Sequence, residues 1–373
     1  MTPSKATMTP AIILRAVRIW SGLFLLAFIT SHLTNLSFGL VSIDAMDAVR
    51  PYLSGIWTGP ITGTLLLASL VSHFFLGLWA IYVRPTLRTN TQDIVQLLTG
   101  VLVVPLLATH AVGISMAANA GLNLGYADAI RLFWLGAPTI GLLQVVMLSV
   151  VWVHGCAGLF TWLRSKENAG WLLHWLYLLA VIVPLIALLG YAEAGREMLI
   201  AGQNGGNLAQ NPAMPENVVA PFAQIRQITN GVILGSIILA ALTLAARLVR
   251  LTIQKTQEVV LVRDSGPQMV STSALSMLDG FQRNDQLHAN LCAGRGRCGT
   301  CAVRIVQSDF PLPSPSEMEL RTLYRVGAPS GARLACQLKP AGGKVEVLAI
   351  YPADYTFEDA RPSGAPSDSE VAA

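Results

Sequence analysis

Four cysteines carry the plainest chemistry in this chain. Leu291–Cys301 reads L-C-A-G-R-G-R-C-G-T-C and sets Cys292, Cys298 and Cys301 in a C-x5-C-x2-C run; Cys336 follows inside R-L-A-C-Q. Three thiols wrapped around one point, with a fourth arriving from a distant strand, are the ligand pattern of a [2Fe–2S] cluster. Gly294, Gly296 and Gly299 fit that pattern. A loop bending around two irons needs positive φ values, and backbone N–H groups close to the sulfurs with no Cβ in the way. A zinc ribbon would want two C-x2-C knuckles, and one is present. Disulfides are disfavoured in a domain expected in the cytoplasm, where thiols stay reduced. The letters G-R-G-R-C-G also spell G-x-G-x-x-G, but that fingerprint requires a strand before it and a helix after it. Here cysteines stand inside it and on both sides. The fifth cysteine, Cys156, falls in an apolar helix, where the role expected is that of a small buried hydrophobe.

Histidines are the second chemical signal. Five of the six lie in the apolar part of the chain, and an ionisable residue inside a membrane helix is a functional candidate by default. At 1.5 Å per residue, His73 lies ~16 Å from Arg84 and His154 ~15 Å from Arg164. By the same rise, His32 is ~21 Å beyond Arg18 and His110 ~24 Å beyond Ile94. Two levels with two histidines each are what a pair of bis-histidine b-type haems, stacked across a bilayer, would require. Gly77 follows His73 by four residues in S-H-F-F-L-G, and Gly158 follows His154 by four in V-H-G-C-A-G. Residues i and i+4 share a helix face, so each ligand has a gap beside it for a flat macrocycle. T-S-H at His32 and A-T-H at His110 form the other matching pair, and the similar His32–His73 and His110–His154 spacings suggest two related helix pairs. His174, at the cytoplasmic edge of the fifth helix, suits an interfacial hydrogen-bonding role, with replacement of one of the four ligands as the alternative, and His288 suits a structural role.

These residues need elements to hold them. The 373 residues are 53% hydrophobic and 12% charged, about half the charged share of a soluble globular chain, and mean hydropathy is +0.54. The apolar excess ends near residue 253, which places a membrane domain first and a soluble domain second. Six stretches, near 14–38, 60–84, 94–117, 139–163, 170–190 and 228–250, reach the ~20 residues a spanning helix takes. The first lacks a small-residue cleavage site and is expected to stay as an anchor. Lys5, Arg15, Arg18, Arg84, Arg88, Arg164, Lys166, Arg247, Arg250 and Lys255 fall on one set of flanks; Arg50, Arg131, Arg196 and Arg226 fall on the other. The positive-inside rule therefore puts the N-terminus and everything after the sixth helix in the cytoplasm. The loop 191–222 is expected to hold a short helix around Glu193–Ile200. The net charge of +4 gives no argument for nucleic acid.

After Lys255 the period changes. Glu258–Val262, Cys301–Val306 and Lys344–Ile350 read as strands, and 272–282 as a short helix. Ser314-Pro315-Ser316-Glu317 reads as a capping box with proline at the first helical position, opening a helix to about Arg325. The expectation is an all-α six-helix transmembrane bundle over 1–253, then a small α+β domain of β-grasp type over 254–352. The segment 353–373, rich in Ala, Pro, Ser, Gly and acids, is expected to be a disordered tail or linker.

The cysteine spacing resembles the adrenodoxin-type and bacterial variants of [2Fe–2S] ferredoxins. The helix order and histidine placement resemble the dihaem cytochrome b subunits of succinate dehydrogenase and quinol:fumarate reductase. That resemblance implies His73 and His154 as ligands of a proximal, cytoplasmic-side haem, His32 and His110 as those of a distal haem, and quinone as a redox partner. The loop C-A-G-R-G-R-C-G-T-C and A-P-S-G-A-R-L-A-C-Q resemble the ferredoxin module beside class III adenylate cyclases of bacteria. The order of anchor then ferredoxin is similar to the regulatory half of the membrane-bound members, which implies a multi-pass protein of the bacterial inner membrane. Only 352–373 remain after the ferredoxin module, with no paired metal-binding aspartates. Either a cyclase domain has been removed in cis, or it is a separate chain in trans. This polypeptide is expected to make no cyclic AMP.

Two functions of different class follow. The first is a redox sensor: electrons pass between the quinone pool, two haems and the cytoplasmic cluster, whose charge state biases a cyclase. The second is a quinone oxidoreductase subunit delivering electrons to a soluble acceptor; no flavin or substrate domain is encoded to support it. Arg295, Arg297 and Arg333 are expected to ring the cluster and favour its reduced form. A homodimer is implied if the partner is a class III cyclase. Asp44, Asp47 and Glu193 on one side, with Ser72 and Asn168 on the other, are polar groups near helix ends that quinone could meet.

Overall fold

The computed structural model describes residues 10–84, 91–119, 125–163, 170–203, 216–254, 256–355 and 359, and it divides into two compact units. Lys5, Arg88, Arg164, Lys166, Asn168 and Lys255 lie outside the described residues.

The first unit is helical: α1 (Pro10–Ser37), α2 (Ile43–Leu53), α3 (Pro60–Val83), α4 (Thr91–Asn119), α5 (Tyr126–Arg131), and all but the ends of α6 (Pro138–Leu163), α7 (Gly170–Gln203) and α8 (Glu216–Ile253), of which 161–163, 170 and 248–253 group with the second. Among the described residues six helices, all but α2 and α5, are long and apolar enough to cross a membrane. Leu67, Leu142, Val181 and Leu234 are 59–66% exposed. A monomer in water rarely leaves contiguous apolar area of that kind open, whereas hydrocarbon accepts it.

Two boundaries differ from the sequence expectation. Glu193–Ile200 is no separate helix; it forms the closing turns of α7, which continues through Pro184. The extension is held by packing: Ala194 and Met198 are fully buried with Ile43, Met46 and Ile130 of α2 and α5, and Glu197 accepts the Ile43 N–H at 2.9 Å. Likewise α8 begins at Glu216, well before 228. The short helices close one end of the bundle. Ser42 caps α2 by accepting from Ala45 N, and Asp47 accepts from Tyr126 N at 2.9 Å at the start of α5.

The second unit carries β1 (Glu258–Arg263), β2 (Met269–Thr272), α9 (Met277–Arg283), β3 (Ala302–Ser308), α10 (Glu317–Arg325), β4 (Ala332–Leu334) and β5 (Gly343–Ala349). The sheet order is β2-β1-β5-β3-β4. β1 and β5 run parallel, with Leu261 opposite Val345, and the other pairings are antiparallel. Alternation explains the inner face: Val259, Leu261, Val345 and Val347 are buried and meet Met277, Leu278 and Phe281 of α9. Parallel neighbours from the two ends of a small domain, with helices between, are the β-grasp arrangement.

The cap of α10 is Ser316, which accepts from Glu319 N at 3.2 Å, so the expected box at Ser314 with Pro315 inside the helix is incorrect. Glu319 decides it. Its carboxylate, 1% exposed, takes Arg333 Nε at 2.8 Å and Leu334 N at 2.8 Å. Burying that charge fixes where the helix starts. At the C-terminus Tyr355 packs on Tyr351 with ring centroids 4.9 Å apart, carrying order a few residues into the expected tail. The rest of 353–373, except 359, lies outside the described residues.

Candidate metal centres

The cysteine loop runs from the end of α9 to the start of β3, and Cys336 follows β4, whose Leu334 pairs with Ala302. Cys292, Cys301 and Cys336 are buried at 2%, 1% and 8%, while Cys298 is partly open. Cys301 Sγ lies 3.3 Å from Cys336 Sγ. Cys292 and Cys298 face each other in the same way, with Cys292 N donating to Cys298 Sγ at 3.4 Å. Among the described residues no three His, Cys, Asp or Glu side chains converge on one ion position. The thiols stand as two pairs, a donor set that suits two irons.

Backbone and side-chain donors already point at the sulfurs. Arg297 N donates to Cys292 Sγ and Gln337 Nε2 to Cys336 Sγ, each at 3.4 Å; Thr300 Oγ1 is 3.1 Å from Cys298 Sγ. The loop achieves this through left-handed residues, including Gly294, Gly296 and Gly299, with φ between 64° and 80°. At Gly299 a Cβ would also stand 2.8 Å from Val326, so the end of α10 seals against the loop. Thr322 Oγ1 donates to Gly296 O at 2.6 Å.

Electrostatics favour thiolate at Cys292 alone among the shifted thiols. The Cys298 thiol hydrogen-bonds Cys292, and with Arg295 beside it draws Cys292 down to about 6. The partner interaction and burial push Cys298 and Cys301 up. Arg295 donates to Cys292 O at 3.3 Å. Arg333 departs from the expectation: its charge is matched by Glu319 instead of facing the thiols. His288 is buried (4% exposed), with its ring 5.0 Å from Phe281 and Nε2 3.4 Å from Cys301 O. Burial holds it near 4, a neutral packing residue as the sequence suggested.

In the helical unit the four singled-out histidines meet as two pairs. His73 and His154 have ring centroids 6.1 Å apart, and so do His32 and His110. That distance is too long for a direct hydrogen bond. Two imidazoles on opposite faces of one metal, with nitrogen–metal distances of about 2 Å, place their centroids about 6 Å apart. His174 is exposed on α7.

Hydrogen bonding orients three of the rings. His73 Nδ1 donates to Arg18 O at 3.0 Å, because a carbonyl can only accept. His154 Nδ1 donates to Gln96 O at 3.1 Å. Ser54 gives its own proton to Asn35 Oδ1 at 3.0 Å and so accepts from His32 Nδ1 at 3.4 Å. With the proton on Nδ1, the Nε2 lone pair is left for a metal. Space is arranged to match. A Cβ on Gly22 would lie 2.7 Å from His73 Cε1, and one on Gly100 would lie 2.9 Å from His154 Cε1.

These contacts reveal a repeat behind the similar histidine spacings. Ser21, Gly22 and His32 of α1 correspond to Thr99, Gly100 and His110 of α4, each 78 positions apart; His73 and Gly77 of α3 correspond to His154 and Gly158 of α6, each 81 apart. The signal was available as [S/T]-G-x9-H occurring twice. Ten residues separate Gly22 from His32 and Gly100 from His110, so the inner pair (His73, His154) and the outer pair (His32, His110) stand ~15 Å apart along the helices.

Three of the polar residues considered for quinone are engaged otherwise, and a fourth, Asp44, lies at a helix start. Asp47 holds the start of α5, Glu193 pairs with Arg196 at 2.5 Å, Ser72 donates to Ser69 O, and Asp44 sits in the first turn of α2.

Residues 263–341 match the family model of the 2Fe-2S iron-sulfur cluster binding domain, a span containing Cys292, Cys298, Cys301 and Cys336. No solved structure matches the chain.

Proposed function

We propose that this membrane protein is a redox-sensing electron-transfer module linking the quinone pool to a cytoplasmic [2Fe–2S] centre through two b-type haems. Its output is the regulation of an adenylate cyclase catalytic domain, in cis or in trans. The observation that carries the reading is the pairing of the four histidines, two at each of two levels, at the separation of a bis-imidazole metal centre. Bound haem and bound cluster both supply one-electron exchange, without a substrate proton or group transfer.

The chain's own residues prepare each site. His73 and His154 would hold the inner haem, His32 and His110 the outer one. Main-chain carbonyls of Arg18 and Gln96 keep the inner rings turned with Nε2 inward, so little rearrangement accompanies a change of charge. Apolar helices exclude water and protect the redox states from side reactions. Cys292, Cys298, Cys301 and Cys336 would hold the cluster, with N–H donors stabilising added negative charge on the sulfurs. α10, sealed to the loop through Gly296 and Gly299, offers a route by which a charge change biases a neighbouring surface. The basic flanks support a reading with the N-terminus and the cluster domain on the cytoplasmic side of a bacterial inner membrane. A class III cyclase partner would bring the chain into a homodimer.

The test is a spectroscopic redox titration of the purified full chain beside His73→Ala and His32→Ala. The expected result is two b-type components in the wild type and loss of about half the haem in each variant. Unchanged haem content in both variants overturns the ligand assignment. Fast turnover of a quinol with a soluble acceptor would move the conclusion to a quinone oxidoreductase.

A further inference from the structure

One histidine breaks the pattern of the other three. His110 Nδ1 is buried and has no hydrogen-bond partner, and Gln144 Oε1 is a buried acceptor with no donor. The two side chains are neighbours. Gln144 is 9% exposed, and its Nε2 already donates to Ile140 O at 3.4 Å, which leaves Oε1 as the free end of the amide. The register agrees. Gln144 precedes His154 on α6 by ten residues, the separation between Gly100 and His110 on α4. Both steps amount to ~15 Å of helix, so Gln144 stands at the level of His110.

The repeat sharpens the point. Shifting Gln144 back by 81 positions lands on Gly63 of α3, which has no side chain to offer. On that side Ser54 and Asn35 serve His32 instead. The inner histidines thus rest on main-chain carbonyls, with the Ser21 and Thr99 hydroxyls beside them, whereas His32 is met by a side chain and Gln144 is the side chain beside His110.

We infer that Gln144 is the positioning residue of the outer centre: its Oε1 accepts the His110 Nδ1–H, aims Nε2 at the metal, and sets the potential of that centre independently of the inner one. This rests on the dihaem reading above. An acceptor on Nδ1 makes the ligating nitrogen more basic and favours the oxidised metal. Removing it raises the potential, and a carboxylate in its place lowers it.

The experiment is an optical redox titration of the full chain, resolved into its two b-type components, for wild type, Gln144→Leu and Gln144→Glu. The expected change is about tenfold in the oxidised-to-reduced ratio of the outer component at its wild-type midpoint, or about 59 mV for one electron. It should move up for Leu and down for Glu, with the inner component still. An outer component unmoved in both variants overturns the inference, as does an equal shift of both components, which is what a packing role would give. Should Gln144→Leu shed the outer haem, Gln144→Glu decides: a downward shift supports the bond, and an unmoved outer component overturns it. Absence of any b-type component in the wild type would overturn the dihaem reading itself, a result distinguishable from an insensitive Gln144.

Discussion

At the scale of single residues, both candidate sites are defined by what glycine leaves out. Gly22 and Gly100 lie against the His73 and His154 rings, and any Cβ there enters the ring's space. The rings cannot retreat without breaking the bonds to Arg18 O and Gln96 O. Gly22→Leu or Gly100→Leu is therefore expected to remove the inner haem, about half the total, and spare the outer one. A pyridine haemochrome assay with the two-component spectrum checks this; equal loss of both components would make the effect one of general folding. The cysteine loop follows the same principle, with Gly299 admitting Val326 where a side chain would not fit. Cysteine spacing alone identified this loop, since thiol ligands close in sequence write their spacing into the chain. The glycines facing His73 and His154 come from other helices; their [S/T]-G-x9-H repeat is in the sequence, but only packing showed which rings they face.

At the scale of elements, α10 and β4 hold the fourth cysteine in place. Glu319 and Arg333 form an ion pair with 1% and 11% side-chain exposure, and Glu319 also receives Leu334 N, two residues from Cys336. Removing one partner of a buried pair leaves an uncompensated charge, at a cost of about 3–5 kcal/mol. Glu319→Ala is expected to destabilise the cluster domain by about that much, read as a lower urea midpoint for loss of the cluster's visible absorption. Replacing both residues by apolar ones should recover most of it; a midpoint unchanged in Glu319→Ala would show that the pair contributes little. The sequence placed this helix but set its cap at Ser314, because S-x-x-E occurs in overlapping registers there. The partner that chooses between them, Arg333, is remote in sequence. The two short strands, β2 and β4, were missed for a related reason: four and three residues are too few to show a period.

At the scale of the whole molecule, an even number of spanning helices returns the chain to the side from which it started. Both the N-terminus and the cluster domain are therefore expected on one face, the cytoplasmic one by the basic flanks. Protease added to inverted membrane vesicles should remove the cluster domain, and protease on right-side-out vesicles should not; the reverse pattern would invert the orientation. What the sequence determined by itself was the solvent of each part and the kind of chemistry: long apolar runs demand hydrocarbon, four thiols at this spacing demand iron–sulfur, and histidines at matched depths pair by level. These are properties of composition and of one helix's rise, which need no knowledge of neighbours. The length of α7, the cap of α10, the protonated nitrogen of three of the rings and the unpartnered atoms of His110 and Gln144 were decided only in the tertiary structure. Each depends on a group brought close by packing from a distant stretch of chain, and a buried polar atom's partner cannot be read until its surroundings are complete.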